Sequence, residues 1–416
     1  MTQYSDSSNK RKRRIRIAEI ILLLAILAFC IQNIFFLYNE KDVYQWDFKT
    51  YYYSAKLFLD GSNPYDLQIL SDVSGSKLKQ HYVYPPVTLW LFAPLSKLDY
   101  HTAYDIYLSF KLIILMILIF IWRNYFLNKK VDTIFYVILL FGFSASIYLD
   151  IKSGNISIFE QFFLWSSFYW LLKRRPFVFC FPVILISLFK IFPILFIFLA
   201  PVFDGKRGWR ILALSIGIFS SVTILNLVLY PDLFAQWISI ANLTFERGHI
   251  NPTTFSMIQS LIEIPFGRSN PTITEIITFL LFGFFVIIAL LINLKLGKRI
   301  KYNQQTGYEM IIIFLFCITY ALVMPRFKDY SYILLLVPAY FIIKNDSRTK
   351  TYFFLAFILI MTRNTYFQSG VAISNFLWDY YSLFILYLIW GLYLINFRYE
   401  SGHVAKNEAH ERVRPG

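Results

Sequence analysis

Charge is scarce in this sequence. Only 16% of its 416 residues are Asp, Glu, Lys or Arg, where a soluble chain carries roughly a quarter, and the mean hydropathy is +0.53. That shortage excludes an ordinary water-soluble globular protein. Cysteine is nearly absent as well: Cys30, Cys180 and Cys317 are the three, each far from the others in an apolar run. Neither a disulfide framework nor a thiolate metal site is expected, and packing is their reading. The five histidines (His81, His101, His249, His403, His410) show no pairing, and only His249, close to Asn251, invites attention. No Walker A sequence, paired-Asp motif, His-Glu-x-x-His or Gly-x-Ser-x-Gly occurs, so the chemistries those motifs carry are excluded. With no metal-ligand cluster in view, the expectation is a metal-independent protein without a cofactor.

Apolar length is what the chain has in abundance. Hydrophobic residues make up 57% and aromatics 20%, including 44 Phe and 30 Tyr. Repeated apolar runs approach the roughly 20 residues that cross a bilayer, which defines an all-α polytopic membrane protein. The net charge of +15 comes from basic residues gathered in short loops and tails, as the positive-inside rule expects. Nucleic-acid binding would need a soluble basic module, and none is present. The partner surface is a lipid bilayer.

The positive-inside rule also fixes a topology. Residues 1–14 form a basic cytoplasmic tail, read as the flank of a retained anchor rather than of a cleaved signal peptide. Residues 15–397 form one membrane domain, and residues 398–416 a polar cytoplasmic tail. About 12 transmembrane or partly spanning helices are expected. Spans are placed near 15–37, 103–122, 133–149, 156–172, 211–229, 273–294, 310–324, 333–343, 352–362 and 381–397. Between Lys173, Arg174, Arg175 and Lys206, Arg207, Arg210, the segment must cross an even number of times. It is short for two full spans, so two short helices should meet near Lys190, with Pro193 marking the break. Such breaks are tolerated only where they are buried or line a cavity. This arrangement places the protein in the cell inner (plasma) membrane as a multi-pass protein with both termini inside.

The stretch 46–98 stands apart. It forms most of a large first outer loop (38–100) crowded with Tyr44, Trp46, Asp47, Phe48, Tyr51, Tyr52, Tyr53, Phe58, Tyr65 and Tyr84. A polar loop beyond about 15 residues is usually functional or disordered, and interleaved aromatics argue against disorder. After Pro85-Pro86 an apolar segment near 87–98 is too short to cross, which makes it a half-helix at the outer interface. The outer face also collects Asp150, Lys152, Asn155, Lys190, Asn251, Gln259, Arg326, Lys328 and Asp329, whereas the inner loops hold little besides Lys and Arg. The active cavity is therefore expected outside, where a soluble nucleotide sugar is not available and the activated sugar is one carried on a lipid phosphate.

The run WDFKTYYYSAKLFLDGSNPYD, with Asp47-Phe48, Ala55, Gly61 and Pro64-Tyr65, resembles the opening motif of glycosyltransferase family 87, a family of GT-C fold. The resemblance continues through Tyr84-Pro85-Pro86 with Ala93-Pro94-Leu95 and through Gly154-Asn155-Ile156, where the family usually has Gly-Gln. Further on come Lys190-x-x-Pro193, the stretch 251–261 and Asp329-Tyr330. It implies an inverting transferase that takes a sugar, commonly mannose and otherwise another hexose or a pentose, from a polyprenyl-phosphate donor. The acceptor would be an extracytoplasmic glycan or lipid of the cell envelope. By the same resemblance Asp47 is the general base, while Lys190, Arg326 and Lys328 are candidates to offset the leaving phosphate's charge. Tyr51, Tyr65, Tyr84, Asp150, Asn155, Asn251, Gln259 and Asp329 are the further substrate-binding candidates.

Each candidate also has a plain structural role open to it. Asp47 is suited to cap a helix, Lys190 to snorkel, Asp150 and Asn155 to make a turn, the tyrosines to anchor at the interface, and the charges at 326–329 to lie in a loop. A rival class is a membrane transporter or lipid-linked glycan flippase, which would favour inverted repeats and a midplane site. A polymerase or ligase using a diphosphate lipid would favour several outer arginines, and here there are few.

Overall fold

The computed structural model of the chain describes all residues except 1, 42, 79, 130, 244–245, 267–270, 303–306, 346–371 and 412–416. The described residues are helical without a strand. Helix α1 (Thr2–Asn39) is followed by the short helices α2 (Trp46–Leu59), α3 (Leu67–Ser74) and α4 (Leu89–Ser96), the last entered through a 3-10 turn at Pro86–Thr88. Next come α5 (Tyr100–Ile121), α6 (Thr133–Ser153), α7 (Ser157–Leu172), α8 (Pro176–Ser187) and α9 (Leu199–Leu229). Helices α10 (Pro231–Leu243), α11 (Thr254–Phe266), α12 (Pro271–Tyr302), α13 (Tyr308–Val323), α14 (Leu336–Asn345), α15 (Ala372–Asp379) and α16 (Tyr381–Glu411) complete the chain.

Among the described residues, five helices are long and apolar enough to cross a membrane: Glu19–Asn39, Tyr100–Phe126, Thr133–Ser153, Phe192–Leu229 and Ile273–Tyr302. A sixth span results if Ile373–Asp379 and Tyr381–Phe397, bent by 67° at their junction, count as one. Pro86–Ser96, Pro176–Ser187 and Tyr308–Val323 are apolar but shorter. The long spans hold their apolar residues out as well as in, as membrane helices do: Leu22, Phe35, Met116, Leu280 and Leu291 are all exposed. The span expected at 352–362 and most of the loop after it lie outside the described residues. At both ends, helix extends into stretches expected as tails, since α1 begins at Thr2 and α16 runs to Glu411.

Local chemistry sets several boundaries. Asp99 caps α5 by accepting the Thr102 amide at 3.0 Å, and Asp66 caps α3 through the amides of Gln68 and Ile69, the usual service of Asp to orphan N-terminal donors. The break expected around Lys190 is present: α8 stops at Ser187, and a 3-10 turn, Phe192–Phe198, resumes with Pro193 in its first positions. α9 turns a corner at Gly205 (φ 53°), and Gly208 then packs so closely on Ala200 that a Cβ there would lie 2.2 Å from its carbonyl oxygen. α6 is interrupted at Phe143, Ser144 and Ala145, all left-handed, and Phe143 packs there against Tyr332 with ring centroids 5.3 Å apart.

One expectation is corrected, and one alternative left open by the sequence is decided. Asp150 was placed in a turn, yet α6 continues through Ser153, so Asp150 sits on a helical face and points inward. Asp47 is no helix cap: Gln45 occupies that position of α2, left-handed at φ 56°, and the Asp47 carboxylate binds another part of the chain.

The junction of α6 and α7 is closely packed against α2. Gly154 ends α6 at φ 74°, and a Cβ on it would lie 2.9 Å from both the Gln45 and the Phe48 Cβ atoms. The Gln45 amide donates to the Lys152 carbonyl at 2.7 Å, which ties the start of α2 to the end of α6. Gly154→Ala combines a left-handed side chain with overpacking, a cost of roughly 2 kcal/mol or more. A lowered thermal midpoint in detergent is the expected result, measured by size-exclusion chromatography after heating.

Candidate active site

Gly154 lets α2 and the α6–α7 turn touch, and the polar residues of both then converge. Asp47, 4% exposed, accepts a hydrogen bond from Asn155 Nδ2 on Oδ2 at 2.7 Å. The same Nδ2 donates to the Tyr51 hydroxyl at 3.2 Å, and Tyr51 and Tyr84 share a hydroxyl–hydroxyl bond at 3.1 Å. Asn155 Oδ1 accepts from Ser157 Oγ at 3.0 Å. Ser157 Oγ in turn accepts from Lys190 Nζ at 2.8 Å, and Lys190 pairs with Glu160 at 2.5 Å. One amide side chain thus joins the candidate base to the candidate phosphate-binding lysine. Asp47 Oδ1 is buried and, among the described residues, has no hydrogen-bond partner.

A second arm comes from the segment after α13. Arg326 and Lys328 both reach the Glu246 carboxylate, at 3.1 and 2.7 Å. The Tyr330 ring lies 5.9 Å from Lys328 Nζ and 5.4 Å from Lys190 Nζ, so Tyr330 joins the two cationic arms. Asn251 shapes this loop: its Oδ1 accepts from the Phe327 amide at 2.8 Å and its Nδ2 donates to the Pro325 carbonyl at 3.1 Å.

Electrostatics follow from burial. Burial pushes the Asp47 carboxyl above its usual 3.8, the Asn155 hydrogen bond and the charges of Lys328 and Lys111 pull it back, and Asp150 pushes upward with burial. Burial lowers the Lys328 ammonium, which Glu246 pulls up and Arg326 pushes down. Among the described residues, no three His, Cys, Asp or Glu converge so as to hold a metal ion.

The structure therefore gathers Asp47, Tyr51, Tyr84, Asn155 and Lys190 in one network, with Arg326 and Lys328 alongside. Tyr65 stands behind them, donating to the Tyr84 carbonyl at 2.8 Å, and Asn251 is likewise a strut. Asp150 serves the turn from below, accepting the Ser157 amide at 3.0 Å on Oδ1. Gln259 is buried in α11, and Asp329 is buried at the start of the 3-10 turn Asp329–Leu335. Lys152 lies over the Tyr44 ring, and His249 lies 3.5 Å from Asp379 at an exposed site. Sequence reading missed Lys111, Ser157, Glu160 and Glu246. Lys111 and Glu160 carried a usable signal, since each is a lone charge in an apolar run; Ser157 and Glu246 carried none.

Beside Pro85 a small apolar groove of about 60 Å³ opens among Leu188, Ile191, Phe219, Val222 and Trp237. Trp237 Nε1 donates to the Val83 carbonyl at 3.0 Å, holding the groove wall to the segment that carries Tyr84.

An all-helical membrane protein with a buried carboxylate, lysines and tyrosines in one polar cluster is the class that fold and site define. The family model of glycosyltransferase family 87 matches residues 82–325, more than half of the chain, and the chain belongs to that family. It is a membrane glycosyltransferase. The matched region holds Tyr84, Asn155, Lys190 and Asn251, while Asp47 precedes it and Arg326 and Lys328 follow it. No curated protein and no solved structure matches the chain.

The raised Asp47 carboxyl is open to direct test. Infrared spectra over a pH series should show a protonated-carboxyl band that persists above the ordinary carboxylate range and is missing in Asp47→Asn. In Asn155→Leu the band should persist to still higher pH, because the hydrogen bond that favours the anion is lost. A band lost at the pH of a free carboxyl would contradict this.

Proposed function

We propose that the chain transfers a sugar from a polyprenyl-phosphate donor to a hydroxyl of an extracytoplasmic glycan or lipid acceptor, with inversion and with Asp47 as general base. Mannose is the first donor sugar to try, followed by other hexoses and a pentose. The observation that carries the reading is Asp47 itself: buried, held through one oxygen by Asn155 and, among the described residues, without a hydrogen-bond partner at the other. A carboxylate so placed is poised to take a proton, and its raised affinity for protons brings it nearer the working pH of a general base.

In this reading the acceptor hydroxyl gives its proton to Asp47 Oδ1 as its oxygen bonds to C1 of the sugar. The bond from C1 to the phosphate oxygen breaks on the opposite face, and the electron pair leaves with the lipid phosphate. Lys190, Lys328 and Arg326 offset the charge that develops there. Glu160 and Glu246 hold those cations in place when no phosphate is present. The prenyl chain lies in the apolar groove beside Pro85, and its binding positions the reacting carbon.

The fold in this proposal is of GT-C type, with about 12 spanning or partly spanning helices and the site on the outer face of the plasma membrane. Cysteine labelling with an impermeant reagent tests the orientation. Positions in 60–80 should react from outside, and positions 173–175 only after the membrane is opened; the reverse pattern would turn the site inward.

The deciding assay offers radiolabelled polyprenyl-phosphate sugars to membranes and follows label into lipid and glycan fractions. Asp47→Asn should lower transfer by about 100-fold or more, the scale of general-base catalysis. Lys190→Met and Lys328→Met should lower it by weakening stabilisation of the leaving phosphate. Full activity in Asp47→Asn would remove it as base, and inactivity of the folded wild type with every donor would favour transport.

A further inference from the structure

The most deeply buried charges in the described structure lie beneath this network, and the transfer mechanism above does not use them. Lys111, halfway along α5, and Asp150, in the last turn of α6, have no exposed side-chain surface and meet at 2.8 Å. The Lys111 ammonium also donates to the Asp150 carbonyl at 2.8 Å and to the Asn155 carbonyl. Two of its donors thus go to carbonyls of the α6–α7 junction, and its charge faces the Asp150 carboxylate there. Tyr107, one turn earlier on α5, donates to the Gly154 carbonyl at 3.0 Å and stacks on Phe48 of α2 with centroids 4.2 Å apart. Asp150 Oδ1 meanwhile accepts the first amide of α7, that of Ser157.

A buried ion pair is poor evidence of stability, because desolvation consumes most of what the attraction provides, and apolar replacements are often neutral. What it does provide is position. Here the positioned group is the turn 154–157, whose two polar side chains are the ones that reach Asp47 and Lys190. We propose that Lys111, together with Asp150, is a positioning residue for transfer: the pair fixes the turn so that Asn155 meets Asp47 while Ser157 meets Lys190. The inference rests on the reading of Asp47 as general base.

The charged and titratable groups around Asp47 are Lys111 and Asp150 below, Lys328 and Tyr330 to one side, and Tyr51, Tyr84 and Tyr107. Around Lys111 are Asp150, Asp47, Lys190 and the Tyr107 ring. Lys111 and Asp150 act on Asp47 in opposite directions, which makes the paired variant informative. In Lys111→Met/Asp150→Asn both direct charge effects vanish together, no lone buried charge is left, and an acceptor for the Ser157 amide remains. Any surviving change at Asp47 then reports the Asn155 contact.

The test measures kcat, donor KM and the pH profile of transfer for the wild type, the paired variant and Asp47→Asn, each checked for folding by thermal melting in detergent. Expected for the paired variant are a kcat lowered by about tenfold or more, as misplacement of a catalytic contact produces, and a donor KM within about twofold. The acid limb of its profile should move up, because Asp47 loses the hydrogen bond that favours its anion. A folded paired variant with wild-type kcat and profile overturns the proposal while leaving Asp47 as base. Full activity in Asp47→Asn overturns both. Should the paired variant not fold, Asp150→Asn is measured alone and in the Asn155→Leu background. A positioning role lowers kcat by about tenfold in the first and adds little once Asn155 is gone. A wild-type kcat in folded Asp150→Asn, or an equal further loss in the Asn155→Leu background, overturns the proposal.

Discussion

A carboxylate buried away from water has to be held by something, and here the holder is a single amide. Asn155 donates to Asp47 and Tyr51 and accepts from Ser157, and Ser157 accepts from Lys190. Misplacing that side chain would separate the acidic and the cationic halves of the site. The turn that carries it is held from several sides. Gly154 permits the left-handed exit and the close approach of α2. Tyr107 and Lys111 grip the carbonyls from α5, and Asp150 satisfies the first free amide of α7. Four helices meet at one turn, and each contributes a different kind of contact.

The cations of the site share a design. None projects alone: Lys190 is paired with Glu160, and Arg326 and Lys328 share Glu246. In a half-buried setting an unpaired ammonium would bear desolvation without return, and here each cation has a carboxylate partner. Tyr330 lies between the two lysines and bridges the groups. The aromatic packing of Tyr51, Tyr82, Tyr84 and Phe92 forms the opposite wall. Its hydroxyls, which burial keeps in their neutral form, are available to hydrogen-bond.

Much of the architecture was legible in residue order. Apolar runs announced the long helices, because a bilayer demands unbroken hydrophobic length. The break near Lys190 was announced by a lysine and a proline inside one such run. Asp47, Asn155 and Lys190 were legible as a site through motif resemblance, and their mutual contacts follow from the fold. Two placements were not legible. A helix and a turn look alike in the few residues around Asp150, since the end of α6 depends on where α2 lands. Whether Asp47 caps α2, the alternative to its catalytic reading, was not decidable from residue order, because Gln45, in an unfavoured left-handed conformation, starts the helix.

Composition by itself determined that this chain lives in a membrane, is helical and keeps its polar chemistry in a few segments, because those properties follow from how many apolar residues stand in a row. It also determined that Gly154 precedes Asn155 and that Lys111 is a charge in an apolar helix. Only the tertiary structure decided what those residues do, because a hydrogen bond between Asp47 and Asn155 crosses 108 positions of chain. Which carboxylate answers Lys111, which answers Lys190, and which is left with an open oxygen depends on the packing of α2, α5, α6 and α7 around one turn, and that geometry is written in no single stretch of the chain.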